Sequence, residues 1–137
     1  MAKGEKVTMR NIINKHFETN VDEFVGVLKR KPELCKSKSK LLVEALNCGY
    51  YKIAEALIER GIGLQAKDSM LYTPLHLAVA LNKTHLARAI IAQNCDLSAE
   101  TIEGDTPLAL LRKDAPRALV EALYEAYNFD TSLQDQV

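Results

Sequence analysis

The strongest constraint on this chain is a phrase that it states twice. Thr73-Pro74-Leu75-His76-Leu77-Ala78 is echoed by Thr106-Pro107-Leu108-Ala109-Leu110-Leu111, with the two starting 33 residues apart. A threonine before a helix can cap an unpaired first-turn N–H with its hydroxyl. Proline fits the next position, where its missing N–H costs nothing and its φ is already set. Thr73-Pro74 and Thr106-Pro107 therefore read as helix-opening turns, each leading into a short apolar helix. The period extends past the hexapeptide: Ile53, Leu57 and Ile58 are followed after 33 residues by Leu86, Ile90 and Ile91, and after another 33 by Leu119, Leu123 and Tyr124. Leu42, Leu75 and Leu108 form a further column, as do Leu64 and Leu97. Apolar residues returning at a fixed period of this size mark units that bury their cores against one another.

With T-P-L-H-x-A at that period, the stretch from about Lys40 to Tyr124 resembles the ankyrin-repeat family. The resemblance implies an all-α fold: an ankyrin-repeat solenoid of stacked helix-turn-helix units joined by short β-turn fingers. It implies a single domain over residues 1–137, with a degenerate capping unit at 8–39, full repeats at 40–72 and 73–105, a capping repeat at 106–127 and a frayed tail at 128–137. The length suits one domain, and 47% hydrophobic residues can supply a continuous core.

In the first unit, Met9, Ile12, Ile13 and Phe17 trace a helical face from Thr8 to His16 and just beyond. Asn20 with Glu23 three residues on has capping-box spacing. A second helix should bury Val21, Phe24, Val25 and Leu28 and end before Pro32. The run from Lys29 to Lys40 holds six basic residues and one acidic. It reads as a solvated connection at a helix C-terminus. Its other reading, a nuclear-import or nucleic-acid patch, lacks interleaved aromatic side chains for base stacking, so nucleic acid is not the expected partner.

The repeats that follow have recognisable punctuation. Lys40 replaces the capping threonine of the first full unit, Gly49 separates its two helices, and Gly61 follows the second. In the finger Gln65 to Tyr72, Leu71 occupies the slot where the resemblance expects a glycine with positive φ, so that finger is expected to be strained or reshaped. The next finger, Ser98 to Asp105, has Gly104 there. Asn82 and Asn94 stand at positions where glycine is usual, and asparagine tolerates left-handed backbone. The resemblance gives His76 a structural role, bonding backbone and the cap threonine. His16 and His85 have no partner suggested by spacing. In the last unit Ala109 replaces the histidine, and Pro116 opens a helix to about Tyr127.

The expected function is non-enzymatic: the chain lacks a phosphate-cradling glycine loop, H-E-x-x-H, C-x-x-C and G-x-S-x-G. No catalytic residue, metal, cofactor or small-molecule substrate is expected. No apolar run approaches the ~18 residues of a membrane span, and the start, Met-Ala-Lys-Gly-Glu-Lys-Val, lacks a signal-peptide apolar region. Cys35, Cys48 and Cys95 lack metal or redox spacing and favour reduced thiols, hence cytoplasm or nucleus. A monomer or weak oligomer is expected. The last residues, Gln-Asp-Gln-Val, are the kind of terminus a PDZ groove takes.

In ankyrin repeats a partner protein is held by finger tips and the exposed side of the first helix. Carried over position by position, this gives Lys67, Ser69, Met70 and Tyr72 on one finger and Leu81 behind it. The next finger gives Ile102, Glu103 and Asp105, and the last first-helix gives Lys113 and Asp114. Met70, Tyr72, Leu81 and Ile102 are read as large apolar groups without a core role, an apolar centre with an acidic rim. Residues 1–40 carry ten Lys/Arg against five Asp/Glu, and residues 41–137 eight against thirteen. The acidic distal part favours a partner with a basic surface. A narrower resemblance, carried by Leu75-His76-Leu77-Ala78-Val79, Cys95-Asp96 and Pro116, is to IκB-type inhibitors of Rel transcription factors, including short viral mimics. An adaptor, or the ankyrin portion of a larger scaffold protein, fits the same residues.

Overall fold

The computed structural model describes residues 13–93 and 95–135, with side chains through Asn128. The expected start of the first helix, Thr8 to Ile12, lies outside them, as does Asn94. Seven α-helices are formed among the described residues: α1 (Lys15–Thr19), α2 (Val21–Arg30), α3 (Leu41–Cys48), α4 (Tyr51–Glu59), α5 (Pro74–Ala80), α6 (Thr84–Ile91) and α7 (Arg117–Asp135). Two 3₁₀ turns, Pro32–Leu34 and Leu108–Leu110, complete the list, and these residues form no strand.

The helices stack as hairpins in two rows. α3 pairs with α4 and α5 with α6; across units α3 packs on α5, α4 on α6 and α6 on α7. The two rows differ in burial for a reason visible in composition. α5 has a neighbour on three sides, and Pro74 through Val79 are all buried. α6 has a solvent side, so Leu86, Ala87 and Ile90 turn inward while His85 and Arg88 stay exposed.

The 33-residue columns are the core. Ile53, Leu57, Ile90, Leu119 and Leu123 are fully buried, and Leu86 nearly so; each such side chain contributes roughly 1.5–3 kcal/mol. The column Ile58, Ile91, Tyr124 fades along the stack, from buried through half-buried to 50% exposed, as packing neighbours run out. Gly49 ends α3 at φ 81. Gly63 is required for another reason: a Cβ there would lie 2.7 Å from the Ser39 carbonyl oxygen, because the loop after α4 is bonded to the basic loop through Gly63 N–H to Lys36 O and Gln65 N–H to Ser37 O.

Several sequence expectations are corrected. Asn20 does not cap α2; its amide donates back to His16 O at 2.9 Å, and Glu23 reaches His16 Nε2 at 2.6 Å, so no capping box forms. The Asn14 side chain caps α1 instead, accepting from Phe17 N–H at 2.9 Å. His85 also has a carboxylate, Glu55 at 2.6 Å across the unit boundary. Both histidine pairs are solvent-exposed and worth at most about 1 kcal/mol. The Thr106-Pro107 echo opens only the 3₁₀ turn: with Ala109 there is no imidazole to close the cap, and Leu111 is already extended at ψ 122. α7 runs to Asp135, beyond the Tyr127 end read from the sequence.

Candidate interaction surface

The central turn is built around His76, which is completely buried. Its Nε2 lies 2.8 Å from Asp105 O, an acceptor, so Nε2 carries the proton and donates. Nδ1 then accepts from Thr73 N–H at 3.1 Å and from the Thr73 hydroxyl at 2.8 Å. The Thr73 oxygen in turn accepts from His76 N–H at 3.3 Å, which completes a reciprocal cap at the start of α5. Burial lowers the imidazole's pKa against the opposing pull of the Asp105 carbonyl, and the ring is neutral. Its role is structural: it ties the end of the second finger back to the first helix of the same repeat.

Both fingers use one backbone design with different side chains. In the first, Asp68 N–H donates to Tyr72 O and Leu71 N–H to Asp68 O, while Asp68 Oδ1 accepts from Met70 and Tyr72 N–H, each at 2.9 Å. In the second, Thr101 N–H donates to Asp105 O and Gly104 N–H to Thr101 O, while Thr101 Oγ1 accepts from Glu103 and Asp105 N–H at 3.3 and 3.2 Å. Gly104 takes φ 87, and Leu71 takes φ 66 in the matching slot. The first finger is thus strained and not reshaped. A bond from Ile102 N–H to Met70 O, 3.0 Å, joins the two tips.

The sequence-derived surface residues separate into groups. Met70 (46% exposed), Ile102 (60%) and Leu81 (39%) are open apolar groups, and Lys67, Ser69 and Glu103 are exposed beside them. Lys67 lines a cleft with Leu64, Cys95 and Asp96 between the first finger's stem and the loop after α6. Burial in that cleft wall pushes the Cys95 thiol up to about 11.

Tyr72 does not behave as expected. Its ring is half-buried, packs on the core, and meets His76 edge-on at 5.6 Å between centroids, because it lies one residue before the buried cap. Asp105 is half-buried, and its backbone belongs to the turn. Lys113 and Asp114 are exposed, but in a loop after the 3₁₀ turn and not on a helix. Asp114 accepts from Asn82 Nδ2 at 3.4 Å and Arg112 Nε at 3.1 Å, and these partners hold its carboxyl below the usual range, Asn82 first. Asn82 is left-handed at φ 57. The apolar tip also includes Leu71, 42% exposed, which the position-by-position transfer passed over. A leucine in a glycine slot was the available signal.

The ankyrin-repeat family model matches residues 70–102, which contain the first tip, α5 and α6. This stretch matches an ankyrin repeat, and the stack has the ankyrin-repeat fold. An ankyrin repeat-containing protein of Schizosaccharomyces pombe is 28% identical over 78 residues, 57% of this chain and 36% of its own length. A putative ankyrin repeat protein of Rickettsia bellii is 34% identical over 74 residues, 50% of this chain and 31% of its own. The Notch 1 homologue of Xenopus laevis is 35% identical over 75 residues, 54% of this chain and 3% of its own. The chain spans about a third of the length of the first two relatives. Among solved structures, the ankyrin repeat domain of Bcl-3, a member of the IκB family, superposes with TM-score 0.65 at 20% identity, covering 85% of this chain and 50% of that one. Ankyrin repeats are protein-interaction modules, and in this one the described helices include none long and apolar enough to cross a membrane.

Proposed function

We propose that this ankyrin-repeat chain is a non-enzymatic adaptor or inhibitor that binds a protein partner with a basic surface, through its finger tips and the end of α5. The observation carrying this reading is the joined tip: Met70 and Ile102 are open apolar side chains on fingers tied by a backbone hydrogen bond. Glu100 and Glu103 are exposed on the second of those fingers. An apolar centre with charged edges, held rigid before binding, suits recognition with little ordering cost. Reduced cysteines favour the cytoplasm or nucleus as the place of action.

The test begins with capture of the partner from source cells and its purification. Met70→Ala and Ile102→Ala should then each weaken binding about tenfold, and Glu103→Lys should slow association. Glu55→Ala, on the outer face of α4, is the matched control. Binding lost in Glu55→Ala and kept in the tip variants would put the interface on the outer helices and refute the reading.

The IκB-type reading is narrower and rests on the Leu75–Val79, Cys95-Asp96 and Pro116 pattern. The Bcl-3 domain shares the fold with this chain. It predicts binding to the basic nuclear-import segment of a Rel-type protein, which a purified Rel domain tests directly. Since the curated relatives are longer, the chain also fits the ankyrin portion of a scaffold.

A further inference from the structure

Leu71 combines two properties that do not belong together in a residue serving only the fold. Its backbone is left-handed at φ 66, where a Cβ is penalised and glycine is not. Yet its side chain is 42% exposed and is not among the residues packed on the core. The hydrogen bonds that impose this conformation use Leu71 N–H, Asp68 O, the Asp68 carboxylate and the N–H groups of Met70 and Tyr72. Glycine would make every one of them, as Gly104 does at φ 87 in the second finger. The isobutyl group therefore adds nothing to the turn. What it adds is apolar surface beside Met70, on the tip that Ile102 N–H ties to Met70 O. Strained backbone persisting at an exposed position points to a use for the side chain.

We propose that Leu71 is a partner-contact residue, and that the Met70-Leu71-Ile102 tip seats a basic amphipathic protein segment. The segment's apolar stripe covers the three side chains. Its Lys or Arg residues face the second finger, Ser98 to Asp105, which carries Glu100, Glu103 and Asp105 and no basic residue. Glu100 and Glu103 are exposed and available to it. This rests on the interaction-surface reading above and names the chemistry of its partner.

The experiment uses the full chain and a labelled amphipathic Leu/Lys helical peptide, followed by fluorescence anisotropy. A Leu/Glu peptide of the same spacing is the charge-reversed control. The wild type should prefer the Leu/Lys peptide. Leu71→Gly relieves the strained position and should raise Tm by about 3 °C while weakening the peptide about threefold or more. Leu71→Asn, which tolerates the backbone but is polar, should weaken it similarly. A Leu71→Gly protein that binds as the wild type does overturns the contact role while leaving the interaction surface intact. A Tm that falls in Leu71→Gly also overturns it, since the residue then serves the fold. A wild type that does not prefer the Leu/Lys peptide overturns the basic-partner reading itself.

Discussion

Replacing His76 by alanine isolates the joint between the second finger and α5. The imidazole is completely buried, so its removal orphans Thr73 N–H, which loses its 3.1 Å acceptor, and leaves Asp105 O with the Thr101 N–H alone in place of two donors. Each orphaned buried group costs roughly 1–3 kcal/mol. The lost ring also leaves a void beside Tyr72, 5.6 Å away between centroids, where relaxation is only partial. The Asp105 carbonyl keeps its 2.9 Å bond from Thr101 N–H, so at most the lower end applies to it. Together these give about 3 kcal/mol, read as a shift of the urea midpoint. Two further variants divide the effect. His76→Asn places an oxygen near Nδ1 and should recover the Thr73 side, whereas His76→Gln places an N–H₂ near Nε2 and should recover the Asp105 side. Because burial lowers the folded imidazole's pKa, the unfolded chain binds the proton more tightly. His76's contribution is therefore full above the unfolded value of about 6.5 and declines as pH falls from there through the lowered folded value. The stability gap between wild type and His76→Gln should narrow over that window. A His76→Ala midpoint equal to the wild type's, with unchanged slope, would refute the assigned bonds.

Other perturbations test other joints. Glu18→Ala should lose about 1 kcal/mol and speed hydrogen exchange at Lys52 and Ile53, whose N–H groups donate to the Glu18 carboxylate at 3.1 and 3.0 Å; unchanged exchange there contradicts the cap. Tyr72→Ala should cost about 2 kcal/mol in chemical unfolding, since the ring is half-buried on the core, and full stability would return it to the freely exposed group the sequence suggested. Asn82→Gly should leave stability level or higher while Asn82→Ala costs about 1 kcal/mol, because φ is 57 there. Gly63→Ala should unfold at clearly lower urea, given the 2.7 Å approach to Ser39 O.

The repeat architecture was legible because burial of Ile53, Leu86 and Leu119 depends on a period that composition alone would not produce. The Thr73–His76 cap was legible for a related reason: its parts lie within one turn, three residues apart. Contacts between units were not. Glu18 reaches the backbone N–H groups of Lys52 and Ile53, and His85 reaches the Glu55 side chain; each joins residues 30 or more positions apart with no recurrence to flag it. The last unit misled for a physical reason. Thr106-Pro107 has the right opening residues, but the chain leaves the helical region at Leu111, which stands in the column of the buried Ala45 and Ala78. For the surface, Met70 and Ile102 were found by position in the finger. Tyr72 was misjudged because occupying a finger position does not say whether a ring leans back over the next helix.

The Glu18 carboxylate gives the stack a fixed order. The second joint is closed by a different bond, from Gln93 Nε2 to Ile58 O at 3.0 Å, and the third by the Tyr127 hydroxyl donating to Leu97 O at 2.6 Å. These fittings are not interchangeable. Were the segment 40–72 copied in tandem, the new α4 would turn its leading N–H groups toward the last turn of α3, Ala45-Leu46-Asn47-Cys48, where no residue is acidic. A chain of repeats is often pictured as beads that can be added or exchanged; this one is closer to a set of keyed blocks, and lengthening it by duplication would require a compensating acid in the inserted copy.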